Sequence, residues 1–350
     1  MGNLLAYSGI TAKIKAMESQ FLSDGDFREM AALESVPEAV DYLKQRSSYG
    51  DLFSSLDEGV LHRGFIEKQL MQSQYRDYSK IYRFASMKQR RFLNLYFMHY
   101  EIEILKKCLR NVFSHTQSDL GLAVFQDFFQ RHSSIDLIRL STSETLDEFL
   151  TNLKGSMYYE PLMKLENMEA TTLFDYEMCL DLHYYKFIWK AKDKFLTAQE
   201  QKSIASCFGQ KMDLLNLLWI YRSKKYFRMS PADIYAMLIP VEYRLTKEEL
   251  TKMTESAGTE EMLAVVQGTY YARFENMEAL QTMNIEAVYD RLMYHIHEKT
   301  SRQEPYSVAI LNSYLFFKEL EVRKIITVIE GIRYGLGQPE IARLVGCGES

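Results

Sequence analysis

Three pairs of closely spaced carboxylates are the first places to look for acid–base chemistry in this sequence of 350 residues. They are Glu101 with Glu103, Glu248 with Glu249, and Glu260 with Glu261. Two carboxylates in one pocket can divide the roles of general acid and general base. Each pair is explained more simply as a charged helix face, or as acidic residues at a helix N-terminus, where the helix dipole favours them. We therefore predict no catalytic residues here.

Motifs for metal ions and nucleotides are also missing from the sequence. His295 and His297 are two residues apart, so on a helix they point to different sides and cannot bind one ion together. The segment that starts at His297 lacks the second histidine of a zinc-protease helix, and no GxxxxGK[ST] loop occurs. We predict no metal site and no cofactor.

Two polar residues that could act from inside the protein, Asp213 and Asn216, lie in a largely apolar stretch, Asp213 to Phe227. Leucine and aromatic residues surround the whole circumference of this stretch, which predicts a buried central helix. Buried polar groups must be hydrogen-bonded, so we expect Asp213 and Asn216 to connect this helix to its neighbours. A weaker copy lies at Glu101 to Arg110, where an acid again precedes an arginine by nine residues.

Composition favours long helices and argues against several classes of protein. There are six prolines and sixteen glycines, and no proline lies between Pro37 and Pro161. The net charge of −5 and the mixed distribution of charge predict no nucleic-acid partner, and the short cluster Lys88, Arg90 and Arg91 is typical of a solvated helix face. No apolar run approaches the roughly 20 residues that span a bilayer. Scattered cysteines without CxxC spacing fit a reduced, cytoplasmic compartment.

One pattern recurs three times along the chain. An acid is followed by apolar residues two and five positions later and by tyrosine eleven positions later. The acid and tyrosine of the three copies are Glu38 with Tyr49, Glu148 with Tyr159, and Glu260 with Tyr271. The interval between the first two acids is nearly equal to that between the second and the third, which indicates an internal repeat.

The repeat predicts the architecture. We expect an all-α protein of three pseudo-symmetric helical repeats that form an elongated funnel, with boundaries at residues 1–115, 116–229 and 230–350. Ser35 and Thr145 stand three residues before Glu38 and Glu148, the spacing of a helix capping box, so a helix should begin at each. The third copy has Ala257 at that position, which indicates a shift of one residue.

Several longer segments carry a resemblance to a known family. Taken together, they resemble the C subunit of the V/A-type rotary ATPases, a family that includes the d subunit of the eukaryotic vacuolar ATPase. The segments are AYSGITAKIKAM, YEIEILKKCLR, DLLNLLWIYRSKKYF, IYAMLIPVEYRL, GTEEMLAVVQGTYY and ELEVRKIITVIEGIRYGL. They occur in the expected order, and the resemblance extends over essentially the whole chain.

The resemblance implies a function that the residues alone do not show. Members are all-helical, pseudo-threefold, funnel-shaped and without catalysis of their own. They lie on the cytoplasmic face of the membrane proteolipid ring as peripheral components of the complex, and they form a socket for the central shaft, which consists of subunits D and F. Rotation then couples ATP synthesis or hydrolysis to transport of H⁺ or Na⁺. The resemblance does not identify the ion, because that choice lies in the ring.

Two positions depart from the family pattern. Where the pattern has asparagine three residues after the acid, this chain has Ile104 and Lys324, and only Asn216 keeps the amide. We therefore predict a hydrogen-bonding role for the central copy, at Asp213, and do not extend it to the copies at Glu101 and Glu321. Two other classes stay open, a cytoplasmic helical-repeat adaptor unrelated to rotary ATPases and an enzyme that uses a carboxylate pair.

Overall fold

The fold is known from a computed structural model, which describes residues 2–46, 48–53, 61–116, 122–166, 168, 171–273 and 285–347. These residues contain 18 α-helices and no strand, so the predicted all-α class is confirmed. Across the same ranges, none of the helices combines the length and the apolar composition that a membrane span requires.

The first nine helices come from the N-terminal half of the chain. They are α1 (Gly2–Glu18), α2 (Asp24–Ala31), α3 (Val36–Lys44), α4 (Gly50–Phe53), α5 (Arg63–Phe84), α6 (Met87–Ser114), α7 (Leu122–His132), α8 (Leu137–Ser141) and α9 (Leu146–Asn152). The other nine are α10 (Tyr159–Glu166), α11 (Leu173–Phe195), α12 (Ala198–Arg222), α13 (Pro231–Met237), α14 (Lys247–Glu255), α15 (Thr259–Val266), α16 (Ile285–Gln303), α17 (Val308–Arg333) and α18 (Gln338–Leu344).

The chain divides into two compact units, one of residues 1–87 with 297–350 and the other of residues 88–296. In the first unit, the long helix α17 near the C-terminus packs against α2, α3 and α5 from the beginning of the chain. The buried side chains of these helices and of α4 form one apolar core, to which Val40, Leu43 and Phe53 contribute from one end of the chain and Ile325 and Ile329 from the other. In the second unit, α11 packs against α10 and α12, and α12 also contacts α13 and α14.

Hydrogen bonds at the helix ends explain where many of these helices begin. Ser23, Thr197 and Thr246 form complete capping boxes at the starts of α2, α12 and α14. Ser35 and Thr145 accept hydrogen bonds from the backbone N–H groups of Glu38 and Glu148, so α3 and α9 begin where the sequence spacing predicts. The third copy has Gly258 before α15, without a side-chain cap.

Three long helices, α6, α12 and α17, end in the same way. A residue in the left-handed conformation follows each of them, namely His115 (φ 51°), Arg228 (φ 49°) and Gly335 (φ 69°). After α6 and α17 the next N–H bonds to a carbonyl five residues back, from Thr116 to Asn111 and from Leu336 to Gly331, which is the Schellman arrangement. After α12 the chain continues through one π-helical turn, Ser223–Phe227, and the N–H of Met229 reaches back six residues to Ser223.

Candidate functional site

A buried carboxylate lies near the middle of helix α6. Glu101 accepts a hydrogen bond of 2.8 Å from the hydroxyl of Tyr158, and its other oxygen accepts one from Ser133. Ser133 directly follows α7 and lies ahead of α8, and Tyr158 directly precedes α10. Glu101 and Tyr158 are both buried. One side chain thus fixes both ends of the segment of short helices that runs from Ser133 to Tyr158.

Asp213 occupies the corresponding place on helix α12. It accepts a hydrogen bond of 2.8 Å from the hydroxyl of Tyr271 and bonds of 2.7 and 3.2 Å from the N–H groups of Arg244 and Leu245, just ahead of α14. One turn further along, Asn216 donates to the carbonyl of Ile239 at 3.0 Å and accepts from the N–H of the same residue at 2.8 Å. Asp213 and Asn216 are completely buried, and both serve the backbone that leads into α14.

Glu321 is the third such carboxylate, on helix α17. It accepts a hydrogen bond of 2.5 Å from the hydroxyl of Tyr49 and one of 2.7 Å from the N–H of Leu22, just ahead of α2. Here a cation joins the pair. The ammonium of Lys318 lies 2.8 Å from Glu321 and 2.8 Å from the hydroxyl of Tyr49, and its side chain is buried.

The three sites share one geometry, and we call each an acid–tyrosine hub: Glu101 with Tyr158, Asp213 with Tyr271, and Glu321 with Tyr49. In each hub, an acid on a long helix binds the start of a segment of short helices and a tyrosine hydroxyl at the end of that segment. The tyrosine follows its acid by 57 residues in the first hub and by 58 in the second. In the third hub the tyrosine precedes the acid by 272 residues, so this hub joins the two ends of the chain.

The ends of the long helices support the equivalence of the three hubs. Glu101 precedes the left-handed residue His115 by the same number of residues as Glu321 precedes the left-handed residue Gly335. From Asp213 to Arg228 it is longer by a single position. The extra residue falls where the π-helical turn is, because a π turn accommodates one residue more than an α turn. The same structural element is therefore present three times, once with a one-residue insertion.

Burial dominates the electrostatics of the hubs. Desolvation raises the pKa of Glu101, although hydrogen bonds from Ser133 and Tyr158 oppose that shift. Desolvation also raises the pKa of Asp213 to about 6, against the opposing effect of its backbone donors and Tyr271. Among the described residues, Oδ1 of Asp213 has no hydrogen-bond partner, and this explains why the donors only partly compensate for burial. Burial and the adjacent carboxylate raise the pKa of each tyrosine, so all three stay protonated and donate.

In the structure, the repeat residues predicted from the sequence have two different roles: tyrosines belong to the hubs, and acids accept hydrogen bonds at the starts of short helices. Tyr49 and Tyr271 belong to hubs, but in the second copy the hub residue is Tyr158, and Tyr159 is the first residue of α10. Glu38 and Glu148 accept hydrogen bonds from the N–H groups of Glu34 and Glu144 at the starts of α3 and α9. In the third copy Glu261 takes this role with Ala257, whereas Glu260 is exposed in the first turn of α15.

The carboxylate pairs that could have suggested catalysis are engaged in local structure. Glu248 forms an exposed ion pair with Lys252, and Glu249 caps Thr246 at the start of α14. Glu103 lies 3.4 Å from Lys106, which also binds Asp181 of α11 at 2.5 Å. His297 is buried and stacks on Phe316. Within the described ranges, no group of three His, Cys, Asp or Glu side chains is arranged to hold a metal ion.

Comparison with known proteins supplies the family. The family model of the ATP synthase (C/AC39) subunit matches residues 10–344, which is almost the whole chain. The chain belongs to this family. Similar proteins include the A-type ATP synthase C subunit of Pyrococcus abyssi, 28% identical over 97% of this chain and 90% of that protein. The A-type ATP synthase C subunit of Archaeoglobus fulgidus is 22% identical over 98% of this chain and 96% of that protein. That of Methanocaldococcus jannaschii is 24% identical over 98% of this chain and 87% of that protein.

Membership of the ATP synthase (C/AC39) family confirms the resemblance carried by the sequence segments. It also excludes the alternative of an adaptor unrelated to rotary ATPases. The restriction of the hydrogen-bonding role to the central copy was wrong, because Glu101 and Glu321 bind their neighbours as Asp213 does. That restriction relied on the amide three residues after the acid, whereas the acid itself makes the bonds to the tyrosine and to the first short helix. The sequence signal that could have found all three hubs is an acid inside an apolar run, about four turns before the end of a long helix.

Proposed function

We propose that this protein is the non-catalytic central-stalk subunit of a V/A-type rotary ATPase. In this role it couples the rotating shaft, subunits D and F, to the membrane proteolipid ring for transport of H⁺ or Na⁺. Its family and its relatives, all C subunits of A-type ATP synthases, support the assignment to such a complex. The observation that carries the coupling role is the set of three acid–tyrosine hubs.

The hubs suit a part that transmits torque. A coupler must pass a turning force from one partner to another without local unfolding, and local unfolding starts where few buried contacts hold the backbone. Here every segment of short helices that a hub serves is attached at its start and at its end to one side chain of a long helix. Because these hydrogen bonds are buried, they are electrostatically stronger than exposed ones, and breaking them leaves a costly unpaired group. We infer that the hubs keep the protein stiff under rotation.

The non-catalytic assignment is supported by the use that the fold makes of its acids. Glu101, Asp213 and Glu321 are committed to backbone and tyrosine donors. The paired carboxylates that an enzyme would need are exposed, paired with lysine or engaged at helix ends. A catalytic carboxylate must instead be free to exchange a proton with a substrate. The proposed role is carried out through partners alone, by a peripheral component on the cytoplasmic side of the membrane.

Reconstitution tests the proposal directly. The proteolipid ring sector is combined with the D and F shaft in the presence and in the absence of this chain, and docking of the shaft is measured. We expect stable docking only when the chain is present. Equal docking without it would contradict the coupling role.

A second measurement separates stiffness from mere attachment. In the assembled complex, Tyr158→Phe removes one hub hydrogen bond, and Tyr334→Phe makes the same change at a residue that is 71% exposed. If the hubs stiffen the coupler, the ion flux per ATP falls for Tyr158→Phe and is unchanged for Tyr334→Phe. Equal coupling in both variants, with the shaft docked, would show that stiffness does not depend on the hub.

A further inference from the structure

The end of helix α12 carries a concentration of positive charge and exposed aromatic surface that the hubs do not explain. From Leu214 to Ala232 the sequence has four cations and no acid, in a chain whose net charge is −5. We define the basic–aromatic tip as Lys225, Tyr226, Phe227 and Arg228, all of which are exposed. Tyr226 and Phe227 are 57% and 65% exposed.

The tip is held in a fixed conformation. The ammonium of the adjacent Lys224 lies 2.8 Å from the carbonyl of Thr254 and 2.6 Å from that of Ser256, at the C-terminal end of α14. Lys224 therefore attaches the π-helical turn to the end of α14. Its ammonium binds the two carbonyl groups there, and the carboxylate of Glu261 also attracts it. Lys225 donates to the hydroxyl of Tyr221 and lies over the ring of Tyr226. The aromatic rings are thus presented from a rigid turn.

Two backbone features are costly and occur together at the tip. A π-helical turn is rare and is found mainly at functional positions. Arg228 has a positive φ of 49°, a conformation that glycine adopts freely and that a side chain disfavours. At the end of α17 the same structural position is filled by Gly335, so the fold itself does not require an arginine there. The residue in this strained conformation, directly after the exposed rings of Tyr226 and Phe227, is thus a cation.

We propose that the basic–aromatic tip binds the anionic headgroups of a lipid bilayer. Cations beside exposed Tyr and Phe are the composition of segments that lie in the membrane interface, where the rings enter the headgroup boundary and the cations bind phosphate. Lysine is depleted at the centres of protein interfaces, whereas tyrosine, phenylalanine and arginine are enriched there, so a protein partner is one outcome of the test below. Glu255 accepts a hydrogen bond from Tyr235 and Glu261 accepts one from the N–H of Ala257, whereas the side chains of Lys225 and Arg228 are exposed to solvent, where lipid phosphates could reach them.

This inference goes beyond the coupling role and can fail separately from it. It concerns the isolated chain and a lipid surface, whereas shaft docking concerns the ring and subunits D and F. The net charge of −5 opposes general attraction to anionic vesicles, so binding must come from a local surface.

Sedimentation with vesicles tests it. The full-length chain is mixed with vesicles of phosphatidylcholine alone, or with vesicles in which about one third of the lipid is phosphatidylglycerol, at low and at physiological salt. We expect binding to the anionic vesicles only, weakened by salt. Lys225→Gln/Arg228→Asn removes two cations and places at 228 a residue that tolerates positive φ, and we expect its partition coefficient to fall at least about tenfold. Phe227→Trp should keep binding and show a blue shift of its fluorescence on contact with lipid.

A matched pair serves as the control. Lys88→Gln/Arg91→Gln removes two exposed cations from the start of α6 and should bind as the unchanged chain does. Far-ultraviolet circular dichroism confirms that each variant is folded. Equal loss in both double variants would reduce the effect to net charge and overturn the proposal. It would also be overturned by absence of binding to anionic vesicles, or by a tip variant that binds vesicles normally and loses docking on the ring, which would assign the tip to a protein partner.

Discussion

The hydroxyl of Tyr49 donates a 2.5 Å hydrogen bond to the carboxylate of Glu321, although 272 residues separate them in the chain. Lys318 binds both members of this pair, and all three side chains are buried. The bond closes the third acid–tyrosine hub from the two ends of the sequence. It makes α2 and α3, near the start of the chain, the partners of α17, near its end, whereas the other two long helices bind short helices that follow them.

Removing a single hub hydroxyl is expected to destabilise the protein. Tyr49→Phe, Tyr158→Phe and Tyr271→Phe each leave a buried carboxyl group with one donor fewer, at a cost of about 1–3 kcal/mol. The free energy of unfolding, measured with urea at pH 7, checks this. Tyr334→Phe is the control, and because its ring is exposed it should change stability by less than about 0.5 kcal/mol. Hub variants as stable as this control would contradict the structural role of the hubs.

Replacing Asn216 separates a structural residue from a contact residue. In Asn216→Leu the N–H of Ile239 loses its partner, and its carbonyl keeps only the N–H of Val241, so we expect the free energy of unfolding to fall by about 1–3 kcal/mol. Asn216→Asp keeps the acceptor for the N–H but places a carboxyl group against the carbonyl of Ile239 in a fully buried position, so we expect it to be destabilised as well. A stable Asn216→Leu protein that is defective only in shaft docking would overturn the structural interpretation.

The raised pKa of Asp213 predicts a specific dependence of stability on pH. Its pKa is about 6 in the folded protein and 3.8 as the ordinary value, so between these pH values the folded state binds more protons than the unfolded state. The contribution that the raised pKa of Asp213 makes to the free energy of unfolding is therefore complete below about pH 4 and is lost as the pH rises through 6. Relative to Asp213→Asn, which does not titrate, the unchanged protein should gain stability as the pH falls from 7 to 4, by at most about 1.4 kcal/mol per pH unit.

Comparison of the two proteins at each pH cancels the titration of every other group, Glu101 included. Chemical denaturation at half-unit intervals between pH 4 and 7 provides the measurement. A difference that stays constant over this range would show that the backbone and tyrosine donors balance burial at Asp213, and one that favours the unchanged protein as the pH rises would show that they outweigh it.

The ion pair of Lys106 with Asp181 predicts non-additive substitutions. Lys106 of α6 lies 2.5 Å from Asp181 of α11 and 3.4 Å from Glu103, and it lowers the pKa of Glu103. Lys106→Met leaves Asp181 in a desolvated position without its cation, and should cost about 1–3 kcal/mol. The double variant Lys106→Met/Asp181→Leu removes both charges and should recover much of that loss. A double-mutant cycle measured by urea unfolding checks the coupling, and additive losses would contradict it.

The helical class and the starts of α3 and α9 could be predicted from local signals. Few helix breakers, apolar periodicity and the Ser-x-x-Glu and Thr-x-x-Glu spacings act within a few residues, so they are readable in the sequence itself. The spacing of the repeat was also visible, but its exact residues were not. Tyr158 and Tyr159 are adjacent and chemically identical, as are Glu260 and Glu261. No local rule distinguishes which tyrosine is buried or which glutamate accepts the backbone hydrogen bond.

The sequence by itself determined that this protein is helical, that polar side chains lie inside apolar helices, and to which family it belongs. Only the tertiary structure decided which groups those side chains bind. The partner of Glu101 lies 57 residues away and that of Glu321 lies 272 residues away in the opposite direction, and separations of this size leave no periodic signal along the chain. Burial makes each carboxyl group require donors, and packing alone decides which tyrosine and which backbone N–H supply them.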